Sequence, residues 1–453
     1  MIIRFAALFI LLFLCLLSGC FSSYEAIRDV RELKQDHTAY LDVSAAEAPM
    51  MNPEEQQQRD RDYNNRHFSP WHDNQSRCGL TDIAQEFEKY GRNRGYGENG
   101  RKHKRNWIKK LRANARLQDY PGVGYPAITI RHTSLRALPT GKPHFNSSHR
   151  AASGYPFDNL QATAVMVNTP VFISHISHDK AWVLAETGYY FGWMRAEDVA
   201  ALPADFMKNW ETGRYAVIVK DKTPLCDGEG LFLFRASLGT IFPMVNNGEK
   251  AIDILVAVGD ADRRAVLKKV TITKDAVAAK PVPITTAQMA RMANELINEL
   301  YGWGGLYGNR DCSAMIRDLF APFGIWLPRN SADQAQKGGT FVDLSLLSNE
   351  EKEKKIISEG IPYLTLLWRK GHIVLYMGTY NGEPLVFHNF WGISTRTVLG
   401  RKGKLIVGHA AITTLHPGRE LLNYDQAAAD LTTNILGMTL LVQSSGRPML
   451  INP

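Results

Sequence analysis

The sequence predicts a multidomain chain: a helical N-terminal region, two small all-β barrels and a C-terminal α+β domain. Three observations predict it. At 453 residues the chain is too long for one core of ordinary size. Between Pro121 and Lys280, short apolar or alternating runs recur at turn-separated intervals, the texture of small barrels. From Thr285 the period changes. Met289, Met292, Leu296 and Leu300 stand at helical spacing, and strand-like runs come only after them.

The elements follow in order. Arg4 is followed by an apolar run over 5–17 and then Ser18, Gly19 and Cys20. One positive charge, an apolar stretch and small residues make a secretory signal over 1–20; a retained membrane anchor is the alternative, since the run nearly reaches spanning length. Leu17-Ser18-Gly19-Cys20 resembles the bacterial lipobox, whose cysteine is acylated and becomes the first residue. That resemblance implies lipidation at Cys20 and attachment to a membrane through the lipid. Phe21 rather than Asp after it resembles lipoproteins sent to the outer of two membranes, on its periplasmic face. Residues 21–120 are expected to be mostly helical, with 21–55 a polar tether carrying short helical pieces and the whole region capping the barrels.

The stretch 101–116 is strongly basic. It reads either as a dock for an anionic polymer or membrane, or as the solvated face of a helix that buries Trp107, Ile108 and Leu111. The second reading is the expectation. The net charge of +8 suits an anionic surface without choosing one, and export argues against nucleic acid as a partner. Hydrophobic content of 45% and charged content of 22% are ordinary for a globular protein.

Strand-like runs fall at 127–130, 134–136, 165–167, 170–175, 181–185 and 189–194. Leu135-Arg136-Ala137-Leu138-Pro139-Thr140, Thr169-Pro170-Val171, Trp182 and Gly192-Trp193-Met194 resemble landmarks of bacterial SH3-like domains. The first such domain is expected over 121–204. A second set of runs, at 215–219, 240–244, 252–256 and 270–272, marks a second barrel over 205–280. Lys280-Pro281-Val282-Pro283 is a linker, and the C-terminal domain takes 285–453.

Within that last domain a Gly-rich loop runs into Asp311-Cys312-Ser313, and Ala314, Met315, Ile316, Leu319 and Phe320 then keep helical spacing. The loop thus delivers a thiol to the first turn of a helix, whose positive end favours thiolate. His372 opens one strand-like run and His388 closes the next. A thiol followed by two histidines on neighbouring strands is what a cysteine nucleophile needs. Cys312 would attack an amide carbonyl, His372 would take the thiol proton and pass it to the leaving amine, and His388 would orient His372. The Cys312 N–H can donate to the developing oxyanion. Of the remaining cysteines, Cys78 and Cys226 either pair or stay buried and free, the latter being expected. His175 and His178 lack the partners of a metal site, and His409 and His416 are read as structural; no metal site is expected. Phe390 and Trp391 either line a groove or simply pack.

Taken together, Trp303-Gly304-Gly305 before Asp311-Cys312-Ser313, His372-Ile373-Val374-Leu375-Tyr376, and His388 resemble the NlpC/p60-type peptidoglycan cysteine peptidases, a compact papain-like family. With SH3-like domains ahead, the resemblance implies an endopeptidase cutting between γ-D-glutamate and diaminopimelate in the stem peptide of the wall. It also implies a supporting role for Tyr301 at the oxyanion, with Tyr307 the rival in the same loop. In members that accept only released stem peptides, residues similar to Asp311 and Ser313 bind the free amine of the leading L-alanine; the other reading of Asp311 is a helix cap. A recycling peptidase for such peptides and a non-catalytic wall-binding lipoprotein are the alternative functions. No cofactor signature occurs, and a monomer is expected.

Overall fold

The computed structural model describes residues 26–148 and 153–442. The apolar N-terminal run and Cys20 lie outside the described residues, and among those described no helix is long and apolar enough to cross a membrane.

The first barrel is a seven-stranded sheet of β1 (Tyr125–Thr129), β2 (Thr133–Arg136), β3 (Gln161–Val165), β4 (Pro170–Ile176), β5 (Trp182–Glu186), β6 (Phe191–Arg195) and β7 (Val199–Ala201), in the order β3-β2-β6-β5-β4-β1-β7. Alternate residues point inward, so Leu135, Val171, Ile173, Val183 and Met194 fill its centre. The long β2–β3 connection is pinned from within. Arg136 donates to Asp158 at 2.8 Å, to Gln161 Oε1 at 2.9 Å and to the Thr140 carbonyl at 2.5 Å.

The second barrel pairs β8 (Tyr215–Ile218), β11 (Ile241–Asn247), β12 (Ala251–Gly259), β13 (Ala265–Thr273) and β14 (Val277–Ala279) in the order β13-β12-β11-β8-β14. A two-stranded hairpin, β9 (Thr223–Cys226) with β10 (Phe232–Ala236), lies outside the sequence expectation. Its strands are short and flank the polar Asp227-Gly228-Glu229-Gly230 turn, which hides their pairing in a local reading.

The C-terminal domain puts helices on a six-stranded sheet. Thr286–Asn294 and Cys312–Phe320 are the first two helices; β15 (Thr340–Asp343), β16 (Thr365–Arg369), β17 (His372–Tyr380), β18 (Glu383–Arg396), β19 (Lys402–Thr414) and β20 (Gly437–Leu440) follow the order β15-β20-β16-β17-β18-β19. Met315, Ile316 and Leu319 of the Cys312 helix share a core with Ile373 and Leu375 of β17 and Phe387 of β18. That same core takes in Ala216 and Phe242 of the second barrel, Ile128 of the first, and Tyr63 and Trp71 of the N-terminal region. The C-terminal domain and the barrels are therefore not beads on a string. Separating them would expose one continuous apolar surface.

The N-terminal helices are Arg28–Glu32, Pro53–Phe68, Leu80–Arg92 and Trp107–Ala115. Trp107, Ile108 and Leu111 turn onto Phe87, Tyr90, Trp182 and Trp193, while Arg101, Lys104, Arg105, Lys109, Lys110 and Arg112 face solvent. One expectation needs correction. Residues 26–51 are no tether but a strap on the C-terminal sheet. Asp29 accepts from the Thr414 N–H at 2.8 Å, Gln35 bonds both polar groups of the Ile412 backbone, and buried His37 meets the Tyr363 hydroxyl at 3.1 Å. Polar side chains matched to sheet backbone groups read as solvated in sequence, which is why the strap was not legible.

Candidate active site

The loop that carries the thiol is shaped by the first barrel. Gly304 and Gly305 take φ of 60° and 81°, in the left-handed region. A Cβ on Gly305 would lie 2.3 Å from the Ala164 Cβ, and one on Gly304 would lie 2.6 Å from the Gln161 carbonyl. Only glycine lets the loop cross β3 this closely. The Gly304 carbonyl accepts from Gln161 Nε2 at 3.0 Å.

Asp311 caps the following helix, accepting from the Ala314 N–H at 2.8 Å. Cys312 is its first residue and is 7% exposed. The Ile373 N–H, one residue beyond His372, is directed at its sulfur. The helix end favours thiolate, yet burial dominates, with the Asp311 carboxylate next, and the thiol is pushed up to about 12. His372 is driven down to about 3, first by burial and then by the Arg369 and Lys404 cations. Burial thus favours the neutral thiol and the neutral imidazole, and the adjacent Asp311 carboxylate works against the helix end's preference for thiolate.

His372 Nε2 and His388 Nδ1 are 2.8 Å apart, and His388 is buried with Phe390 stacked flat on its ring at 4.1 Å. Phe390 thus packs. Trp391 instead joins an aromatic group with Tyr301, at 6.1 Å, and with Tyr155 and Phe157 from the β2–β3 connection, each at 6.3 Å. Arg136 and Asp158 hold that connection in place. Burial, with Cys312 and Asp311 nearby, keeps the Tyr301 phenol protonated, so it remains a donor. Tyr307, the rival in the same loop, is 74% exposed.

Asp311 and Ser313 do not lie on the surface of the site. Both are buried, and Arg329 donates to Asp311 Oδ2 at 2.6 Å, to Asp311 Oδ1 at 3.1 Å and to Ser313 Oγ at 2.9 Å. The same guanidinium donates to Thr163 Oγ1 of the first barrel at 2.6 Å. Asp311 also accepts from the Gly304 N–H at 3.0 Å and from the Ser313 hydroxyl at 3.2 Å. A substrate ammonium at this pair would have to share Asp311 with Arg329, and the helix cap to the Ala314 N–H is the role of Asp311 that these contacts display.

On the other side of Cys312, buried Arg310 ties the loop to the second barrel. It donates to Asp221 at 2.7 Å and 3.1 Å, to Asp318 at 2.9 Å and to Glu299 at 3.4 Å. Asn389, on β18, donates to the Arg310 carbonyl at 2.9 Å. Sequence reasoning missed Arg310, Arg329 and Asn389. Each acts across a domain or sheet boundary, and no local motif marks it. The residues set aside do have partners. Both His175 ring nitrogens meet backbone, at the Ala115 carbonyl and the Gly122 N–H, and His416 lies between Asp430 at 2.5 Å and Glu353 at 2.9 Å. His409 meets the Ala410 carbonyl at 3.0 Å. Cys78 and Cys226 are both free; Cys78 is buried, but Cys226 is exposed, because it sits on the unforeseen hairpin.

Comparison with known proteins agrees with this architecture along the chain. Residues 9–120 match the NLPC_P60 stabilising domain, 143–195 an SH3 domain of SH3b1 type, 204–249 an SH3 domain of SH3b2 type, and 298–400 the NlpC/P60 family. The chain carries an NlpC/P60 domain. It is similar to an NlpC/P60 endopeptidase from Photobacterium damselae subsp. piscicida, at 25% identity and a TM-score of 0.82, over 90% of this chain and 97% of that one. An NlpC/P60 family protein from Bacillus cereus ATCC 10987 aligns at 14% identity and a TM-score of 0.44, over 69% of this chain and 98% of that one. None of the curated proteins matches the chain. The NlpC/P60 domain with its two SH3 domains is the fold of a cysteine-type peptidase directed at peptidoglycan.

His372 must be uncharged to accept a proton, and its value lies below the ordinary 6.5. The acid limb of kcat/KM should therefore fall well under pH 6.5, with activity kept at pH 5. Lys404→Ala removes a cation that holds His372 down, so it should move that limb upward. A pH–rate profile of both proteins checks the sign, and a downward move would contradict it.

Proposed function

We propose that this chain is a cell-wall cysteine endopeptidase that hydrolyses the bond between γ-D-glutamate and the diamino acid of peptidoglycan stem peptides. One observation carries the reading: the His372–His388 bond engages Nε2 of His372, and Ile373 brings the start of the same strand against the Cys312 sulfur. Nδ1 is then the nitrogen left to serve the thiol. In this mechanism Sγ bonds the amide carbonyl carbon while the thiol proton passes to His372 Nδ1. The C–N bond breaks, and that proton goes to the leaving amine. Water then adds to the thioester, giving one proton to His372, which returns it to sulfur. The Cys312 N–H and the Tyr301 hydroxyl are the donors available to the oxyanion.

Intact wall polymer is favoured over released stem peptides, because Asp311 is already paired with Arg329. A free ammonium on L-alanine finds no spare carboxylate there. Lipidation at Cys20 would set the enzyme beside that polymer, at the membrane surface.

The test is digestion of intact sacculi alongside a stem tripeptide with a free or an acetylated L-alanine amine. The proposal expects cleavage of sacculi, products ending in γ-D-glutamate, and rates on the two peptides within about threefold of each other, since no full ion pair is lost. Cleavage of the free-amine peptide alone would replace this reading with the recycling one.

A further inference from the structure

The histidine pair is a chain with one open question: which nitrogen of each ring carries the proton. A buried residue on β19 answers it. Thr413 is fully buried and lies 3.0 Å from His388 Nε2. The antiparallel register sets Ala411 opposite His388 and Thr413 opposite Val386, so Thr413 is a diagonal neighbour of His388 across the β18–β19 pair. A threonine hydroxyl has one hydrogen, and here it is donated to the Thr414 carbonyl at 2.8 Å. Toward His388 the oxygen can then only accept.

We propose that Thr413 is a positioning residue that fixes the tautomer of both histidines and so aims the basic lone pair of His372 at the thiol. His388 Nε2–H donates to Thr413, which leaves His388 Nδ1 as an acceptor. His372 Nε2–H donates to it across 2.8 Å, which leaves the lone pair on His372 Nδ1. In the opposite arrangement His388 Nδ1–H would face His372 Nε2. The proton of His372 would then sit on Nδ1, and the ring could not take one from sulfur there. Phe390, stacked within 3° of parallel on His388, keeps the ring from turning out of this line. His388 is 1% exposed, so bulk water has no access through which to set the tautomer instead.

A neutral orienter suits this site. The nearby charges acting on His372 are the Arg369 and Lys404 cations and Asp311, the last already paired with Arg329. A hydroxyl fixes geometry without adding a buried charge that would need its own partner.

The inference rests on the reading of His372 as the base, so its test includes a measurement that needs no turnover. Thr413→Val keeps the shape and removes the acceptor, while Thr413→Ser keeps the acceptor and removes a methyl. Thr413→Val should lower kcat by about tenfold or more with little change in KM, as loss of an orienting partner does. Thr413→Ser should stay within about threefold of the parent kcat, since its hydroxyl remains. Nitrogen-15 spectra of the histidine rings should show single tautomers in the parent and in Thr413→Ser, and mixed tautomers for His372 and His388 in Thr413→Val. Unchanged kcat and unchanged spectra in Thr413→Val would overturn the proposal. So would equal losses in both variants with single tautomers retained, since packing rather than the hydroxyl would then be responsible. Mixed tautomers in Thr413→Val without any effect on hydrolysis would leave Thr413 a tautomer lock but remove His372 as the base, which separates the two failures.

Discussion

Cys312→Ala should lower hydrolysis of sacculi by about 10⁴-fold or more, because the proposed acyl bond forms on its sulfur. The proposed reacting sulfur lies at the start of the helix, and Ser313, its neighbour, is buried and held by Arg329. The fold should hardly notice. The change removes one buried sulfur that accepts from the Ile373 N–H, a loss of about 1 kcal/mol. Product release from sacculi, read by chromatography, and thermal melting measure the two effects separately. Hydrolysis within tenfold of the parent would move the nucleophile elsewhere.

Arg310→Ala should lower stability by about 3–5 kcal/mol, the loss expected when one partner leaves a buried ion network. Arg310 is the hub for Asp221, Glu299 and Asp318. Lys222 stays with Glu299 at 2.6 Å and Arg317 with Asp318 at 2.9 Å, so Asp221 is the carboxylate that loses most. Its carboxyl is held below the usual 3.8 by Arg310, against the opposing effect of burial. A depressed carboxyl contributes stability above its unfolded value and loses it as pH falls through the folded one. The gap between parent and variant should thus be full at neutral pH and shrink below about pH 4. Activity should drop as well, since Arg310 adjoins Asp311 and Cys312 and anchors their loop to the second barrel. Arg310→Lys keeps the charge but not the fork and should fall between. Urea midpoints at two pH values measure this, and an unmoved midpoint at pH 7 would contradict it.

The first barrel reaches Asp311 through Thr163 and Arg329, and the second reaches Arg310 through Asp221. Both flanks of Cys312 are therefore held by barrel residues, and the loop before it is moulded on β3. Positioning of the site is the role these contacts give the barrels, in addition to any targeting.

Much of this was legible in the chain because it is local. A glycine pair, a capping aspartate, a cysteine and an apolar helical period all lie within 303–320. His372 and His388 announce themselves at the ends of strand-like runs. Thr413, Arg329 and Asn389 do not, since each matters through a residue far off in sequence that only register or domain docking brings near. Thr413 is one β-branched residue in a run that reads as ordinary strand. The state of the thiol was also illegible. A helix start argues for thiolate, and only the observed burial and the Asp311 carboxylate reverse that sign.

The proposed bond between sulfur and substrate is read most directly by mass spectrometry of acid-quenched turnover mixtures. The expected result is a thioester on the peptide containing Cys312, its acyl group ending at the γ-carboxyl of D-glutamate. Steady hydrolysis with that peptide unmodified in Cys312, or with the acyl group on another residue, would contradict it.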